Sequence, residues 1–167
     1  FGGLKSLDSL DKVLKFYKVF RKNKSIKIIY CPPSTLIYPL SKKLKNTYID
    51  LGAQNSHESI HYGPYTGFIN SKMIKEVGAK YVILGHSENR QAGETNELIN
   101  LKIKSALKSK LKVIFCIGET YQQRRKKIAN KILNKQIQLG LKGIGNKKDI
   151  LIAYEPVWSI GTGLIPK

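Results

Sequence analysis

The sequence predicts an α/β fold built on a parallel sheet, and three observations carry that expectation. Apolar strand-like runs begin near residues 26, 48, 80, 112 and 150. Segments with helical apolar spacing alternate with them, and the intervals leave room for right-handed crossovers between parallel neighbours. Several runs end on a polar residue, at the strand ends where α/β folds gather their sites. A barrel and a doubly wound sheet both satisfy this alternation, and periodicity does not separate them.

Each element follows from its residues. From Leu7 to about Lys22, Leu7, Leu10, Leu14, Tyr17 and Phe20 oppose Lys12, Lys15, Lys18 and Lys22, the pattern of a helix with a solvated basic face. Ile26 to Tyr30 reads as a strand closed by Cys31-Pro32-Pro33, and Pro33 or Ser34 opens a helix to about Lys45. Tyr48 to Ala53 is the next strand, ending at Gln54-Asn55; a loop rich in His, Gly, Pro and Tyr follows. A short helix over Ser71 to Val77 leads to a buried strand, Tyr81 to Leu84, that ends at Gly85-His86-Ser87-Glu88. Thr95 is an N-cap for the helix carrying Ile99, Ile103, Ala106 and Leu107. Val113 to Ile117 is a strand closed by Gly118-Glu119, and the basic run Arg124 to Lys127 opens an amphipathic helix with Ile128, Ile132 and Ile137. Ile150 to Tyr154 reads as a strand buried on both faces. On this layout Gln54, His86, Glu119 and Glu155 share one rim.

Composition narrows the function classes. At 167 residues and 41% hydrophobic the chain is long enough for one domain with a real core, taken as residues 1–167. No apolar run approaches the roughly 20 residues of a membrane span, and no signal peptide opens the chain, so the expected compartment is the cytoplasm. Cys31 and Cys116 each follow an apolar run and fit buried thiols better than a disulfide framework. Thirty Lys and Arg against eleven Asp and Glu give a net charge of +19, which raises a polyanion as partner. The basic residues lie on solvated helix faces without interleaved aromatics, so specific nucleic-acid binding is not expected, whereas weak salt-sensitive adhesion to polyanions is.

The chemistry gathers at the last strand. Glu155 falls at its carboxyl end beside Pro156, Val157 and Trp158, where partial desolvation would suit a general base. An ordinary solvated glutamate ending a strand fits the stretch equally well. Ile160-Gly161-Thr162-Gly163 has the backbone freedom to wrap an anion with main-chain N–H groups or to hinge a lid. His57 and His61 stand four apart in a loop, but nothing in the sequence completes a metal site around them, and both are read as surface residues.

In order along the chain stand Gly52-Ala53-Gln54-Asn55, Gly63-Pro64-Tyr65-Thr66-Gly67, the run from Tyr81 to Glu88, Cys116-Ile117-Gly118-Glu119 and Ala153-Tyr154-Glu155-Pro156-Val157-Trp158. Together they closely resemble the triosephosphate isomerase family, over nearly the whole chain. The resemblance implies a (β/α)₈ TIM barrel, here incomplete, with strands two to six of eight in a parallel sheet. It implies interconversion of dihydroxyacetone phosphate and D-glyceraldehyde 3-phosphate by proton transfer through an enediolate, in glycolysis and gluconeogenesis. No metal or organic cofactor is implied. By motif position Glu155 is the catalytic base and His86 the electrophile. Ser87 and Glu88, with Asn89, supply the helical turn that keeps the histidine uncharged, a role carried over from what is known of this family and not read from the spacing. Gly161 belongs to the closing lid, its N–H on the substrate phosphate, and Thr66 to a loop that reaches into a second subunit, so a homodimer is implied.

Departures from the family pattern are local. Phe68 and Asn70 stand where Glu and Ser are common, Asn89 where Arg is common, Ser159 where Ala is usual, and Leu164-Ile165-Pro166 where Lys-Thr-Ala is usual. The segment between Arg90 and Glu94 is one residue shorter than usual. These bear on lid kinetics and the subunit contact more than on the chemistry. The first strand, with its substrate-binding Asn and Lys, is expected to end just before Phe1, and strands seven and eight to follow Lys167, so that the 167 residues alone are expected to be inactive. Two rival readings are another phosphate-binding barrel enzyme and a basic polyanion-binding protein.

Overall fold

The structure, a computed structural model, describes residues 10–20 and 26–159. Its elements run α1 (Leu10–Phe20), β1 (Ile28–Tyr30), α2 (Ser34–Lys43), β2 (Ile49–Ala53), α3 (Ser71–Glu76), β3 (Tyr81–Leu84), α4 (Ser87–Gln91), α5 (Asn96–Lys108), β4 (Lys112–Ile117), α6 (Tyr121–Arg125), α7 (Ala129–Gly140) and β5 (Ile150–Tyr154), then a 3₁₀ turn over Val157–Ser159. The five strands are parallel and lie in the order β1-β2-β3-β4-β5. A doubly wound sheet reverses its strand order at a switch point. Here each strand pairs with its successor in sequence, so the topology is that of a barrel wall.

Period-two alternation divides the strands between two environments. Val82 and Leu84 of β3, with Val113, Phe115 and Ile117 of β4, face outward into a core shared with Ile74, Ile99, Ile103, Ala106 and Leu111. Their neighbours Ile83, Ile114 and Cys116 line a cavity on the inner face. A smaller cluster joins Tyr30, Leu40, Leu44, Ile49 and Leu51, with Leu14 and Tyr17 of α1 packed against it. Lys12, Lys15 and Lys18 are exposed, as the spacing predicts. Helix starts are set by side chains: Asn70 accepts from the Met73 N–H, Thr95 from Leu98 and Thr120 from Gln123. The last is a capping box, because Gln123 Oε1 accepts the Thr120 N–H in return.

Three expectations are corrected. Arg124 to Lys127 closes α6 instead of opening the long helix, since Lys127 takes a left-handed φ of 57° and α7 begins at Ala129. β5 is not buried on both faces: Leu151 is 50% and Ile152 47% exposed. The reason is that β5 pairs with β4 alone among the described residues. His57 is not a surface residue, because its ring packs 4.5 Å from that of Tyr65 and 4.9 Å from that of Phe68, centroid to centroid. His61 is exposed.

Candidate active site

The carboxyl ends of β3, β4 and β5 bring the chemistry together. Gly85 ends β3 with a φ of 75°, a turn that a side chain would strain. The chain then enters α4 with His86 as its N-cap. The His86 ring is nearly buried, and its Nδ1 accepts the Glu88 backbone N–H at 3.3 Å. An imidazole whose Nδ1 accepts carries its proton on Nε2 when neutral. The Glu88 carboxylate also lies 3.7 Å from Nδ1, but it is largely solvated and beyond hydrogen-bond reach, so the N–H contact decides the tautomer.

Nε2 points at Glu155. His86 Nε2 and Glu155 Oε1 are 3.3 Å apart. Glu155 is positioned by its own N–H, which donates to Ile117 O at 2.8 Å and continues the β4–β5 ladder one residue past the strand. Its other oxygen, Oε2, is buried with no hydrogen-bond partner among the described residues. Leaving a desolvated acceptor unsatisfied is costly, and Glu155 lines a cavity of about 400 Å³ walled by Ile29, Ile83, Ile114 and Ala153. A second cavity of about 280 Å³ adjoins His86 and is lined by Gln54, Asn55, Glu88 and Asn89. The arrangement can accept a proton at Glu155 and donate one from His86 to a group lying alongside both in the adjoining cavities.

Four supports of this pair escape a reading of the sequence. Gly118 lies so close to Glu155 that an added Cβ would stand 1.8 Å from the Glu155 carbonyl oxygen. Gln136 of α7 grips Gly118 from the other side, accepting its N–H and donating to its carbonyl, both at 2.9 Å. Arg90 ties the β3 and β4 ends to the start of α5, donating to Gly85 O at 2.7 Å, Cys116 O at 3.2 Å and Asn96 Oδ1 at 2.7 Å. Burial lowers the Arg90 guanidinium from its ordinary value, partly offset by Glu94. Lys102, buried on α5, contacts Glu94 and donates to Asn55 Oδ1 at 3.2 Å, fixing the loop after β2. A buried lysine or glutamine on a helix has no signature in one sequence.

The remaining expected residues are placed as follows. Ser87 is buried as the first residue of α4, and Glu88 is exposed beside it. Gln54 donates to Cys31 O at 3.2 Å on the same rim. Glu119 lies just past the carboxyl end of β4 but is fully buried, accepting from Trp158 Nε1 at 2.8 Å and from the Tyr154 hydroxyl at 3.1 Å. Arg124 lies 3.5 Å from it and stacks 4.4 Å above the Trp158 ring, so Glu119 anchors the 3₁₀ turn after Glu155. Thr66 lies in an exposed loop folded by the Tyr65 N–H to Gly63 O bond and by Gly67 at φ 83°. Gly161, with the rest of the expected lid from Ile160 onward, lies outside the described residues. Desolvation pushes the thiols of Cys31, which is partly buried, and Cys116, which is buried, up to about 12, where a thiol is inert at neutral pH. Among the described residues no group of three or more His, Cys, Asp or Glu could hold a metal ion, and no helix is long and apolar enough to cross a membrane.

Known proteins carry the same pattern. A family profile described as triosephosphate isomerase matches residues 3–167. The triosephosphate isomerase of Dictyoglomus thermophilum is 45% identical over 154 residues, covering 90% of this chain and 61% of the relative. That of Alkaliphilus metalliredigens is 40% identical over 168 residues, covering 97% of this chain and 67% of the relative. The crystal structure of triosephosphate isomerase from Bartonella henselae superposes with a TM-score of 0.85 at 34% identity, covering 92% of this chain and 64% of that one. The chain thus spans about three-fifths to two-thirds of the length of these relatives. A profile matched over almost every residue, together with a parallel barrel wall that brings His86 against Glu155, makes this chain a member of the triosephosphate isomerase family.

Proposed function

We propose that this chain carries the proton-transfer groups of a triosephosphate isomerase, interconverting dihydroxyacetone phosphate and D-glyceraldehyde 3-phosphate. The observation that carries the reading is the His86–Glu155 pair, 3.3 Å apart, with the second Glu155 oxygen buried and unpartnered. Glu155 removes a proton from the hydroxyl-bearing carbon of the ketose, and the C–H electron pair forms a double bond to the carbonyl carbon. The carbonyl oxygen takes the growing charge against the His86 Nε2–H, a donor already oriented by the Glu88 N–H. Glu155 then returns the proton to the adjacent carbon as an aldehyde forms at the first, while His86 gives its Nε2 proton to the former carbonyl oxygen and takes back the hydroxyl proton of the first carbon. No atom is gained or lost, and both groups end as they began.

Gly161 is proposed to bind the substrate phosphate through its N–H as part of a closing lid, and the Glu119–Trp158 contact is a fixed root from which such a lid could move. Thr66, at the tip of an exposed loop, is proposed to reach the active site of a second copy in a homodimer. Residues 1–167 are read as one partial barrel domain of a cytoplasmic glycolytic enzyme.

A chimaera supplying the rest of the Dictyoglomus thermophilum relative's length tests the reading. It should turn over dihydroxyacetone phosphate, and His86→Gln should slow it on the order of 10²-fold or more, the effect of losing one preorganised donor. A folded chimaera without turnover, or a His86→Gln form as fast as its parent, would reject the assignment.

A further inference from the structure

On the outer side of the barrel wall, away from His86 and Glu155, a cavity of about 440 Å³ opens between the loop at Ile60 to Tyr62, helix α3 and the carboxyl end of α5. Its size falls in the range of small-ligand sites. Lys72, Lys108 and Lys110 line it, and none of the three pairs with a carboxylate among the described residues. The three are exposed, so solvent screens their mutual repulsion, but they leave the concavity with a net positive charge. Glu76, which accepts the Tyr62 hydroxyl at 3.2 Å, is not part of the cavity lining, and Lys72 lies 5.1 Å over the Tyr62 ring.

The cavity is also built to present a donor. Ser71, fully buried, bridges Ser105 at 2.9 Å and Ser109 at 2.8 Å, and Ser109 lines the cavity. Three hydroxyl protons serve two bonds within this relay, so one is left over. An acceptor in the cavity would draw the relay into the order Ser105 to Ser71 to Ser109 to ligand. Lys110 is held at a left-handed φ of 57°, which a lysine seldom adopts, and the Lys75 ammonium donates to its carbonyl at 3.1 Å.

We propose that this cavity binds a compact anion carrying two adjacent phosphate groups. Charge sets the class: a single phosphate ester brings about two negative charges, too few for three ammonium groups, whereas a diphosphate comes close to matching them. Lysines are suitable partners because they act as point charges that do not demand planar, bidentate geometry. The site is independent of the isomerase reading, since it shares no residue with it.

Titration calorimetry with inorganic pyrophosphate on the chain at fixed ionic strength tests the proposal. Saturable 1:1 binding is expected. Lys72→Glu with Lys110→Glu should weaken it at least about tenfold, whereas Lys12→Glu with Lys15→Glu, an equal change of net charge on α1, should leave it within about twofold. Lys72→Ala with Ser109→Ala, a milder pair, should act in the same direction and covers the case in which the charge reversals do not fold. A nucleoside diphosphate supplies the second arm: equal affinity puts recognition in the phosphates, and tighter binding adds stacking on Tyr62. Non-saturable binding, equal losses in both reversed pairs, or one-site binding that survives the cavity substitutions would overturn the proposal.

Discussion

Replacing Gly118 by alanine is the sharpest structural test of how Glu155 is positioned. The backbone at Gly118 is one that alanine can adopt, so the effect is steric. The new Cβ would lie 1.8 Å from the Glu155 carbonyl oxygen and 2.9 Å from its carbonyl carbon, where real Cβ contacts stay above 3.0 Å. Both atoms are backbone, so no side chain can swing aside. The Glu155 peptide must retreat by about 1.2 Å or more, opening the 2.8 Å bond from the Glu155 N–H to Ile117 O. Retreat is resisted on the other side, because Gln136 holds the Gly118 N–H and carbonyl. Misplacing a catalytic group by about 1 Å costs on the order of 10²-fold in rate, and overpacking of this kind costs about 1–3 kcal/mol in stability. The assay is turnover of dihydroxyacetone phosphate by the chimaera, with circular dichroism to confirm folding at the assay temperature. Gly145→Ala is the control, since nothing lies within 4 Å of a Cβ there. A folded Gly118→Ala form turning over within about twofold of its parent would refute the reasoning, because the predicted displacement would then not reach the carboxylate.

Two further outcomes are expected. Burial would by itself raise the Asp50 carboxyl, but Lys80 at 2.7 Å and Lys27 at 3.0 Å outweigh it and hold the group below the ordinary carboxylate value. A depressed folded-state value means stability that is present above the unfolded pKa of about 4 and lost as pH falls through the lowered one. Asp50→Asn should therefore flatten the acid limb of urea-unfolding midpoints measured from neutral pH downward, and an unchanged limb would dismiss the Asp50 pairs. The 167 residues by themselves should show little isomerase turnover and should self-associate as concentration rises, since Leu151, Ile152 and Tyr154 leave an apolar, half-exposed strand at one end of the described sheet. A monodisperse chain with turnover close to that of the chimaera would contradict this.

Much of the site was legible because its signals are local. The four apolar residues of β3 read as a buried strand and are one, and Thr95 caps α5 as its hydroxyl and position require. Ser87 to Asn89 form the expected turn under His86, and the meeting of His86 with Glu155 follows once parallel strands in consecutive order bring their carboxyl ends to one rim. What escaped depends on tertiary contacts. Lys127 breaks the helix by a left-handed conformation that glycine or asparagine would have announced and lysine does not. The strand-end position of Glu119 was legible, but not its burial, because the donors come from Trp158 and Tyr154, more than thirty residues away. Arg90, Lys102 and Gln136 carry no mark in the sequence of what they do, and only the packing of neighbouring elements turns them into clamps. β5 read as buried since five apolar residues imply cover on both faces, and the described chain supplies a neighbour on one edge alone.

Glu155→Gln in the chimaera tests the central claim most directly, when turnover and binding of a non-reacting phosphate-bearing analogue are measured on the same preparation. The amide keeps the shape beside His86 but cannot take a proton, so turnover should fall on the order of 10²–10⁴-fold. Analogue affinity should stay within a few fold, because no phosphate contact is assigned to Glu155. Turnover near that of the parent would contradict the assignment of Glu155 as the base.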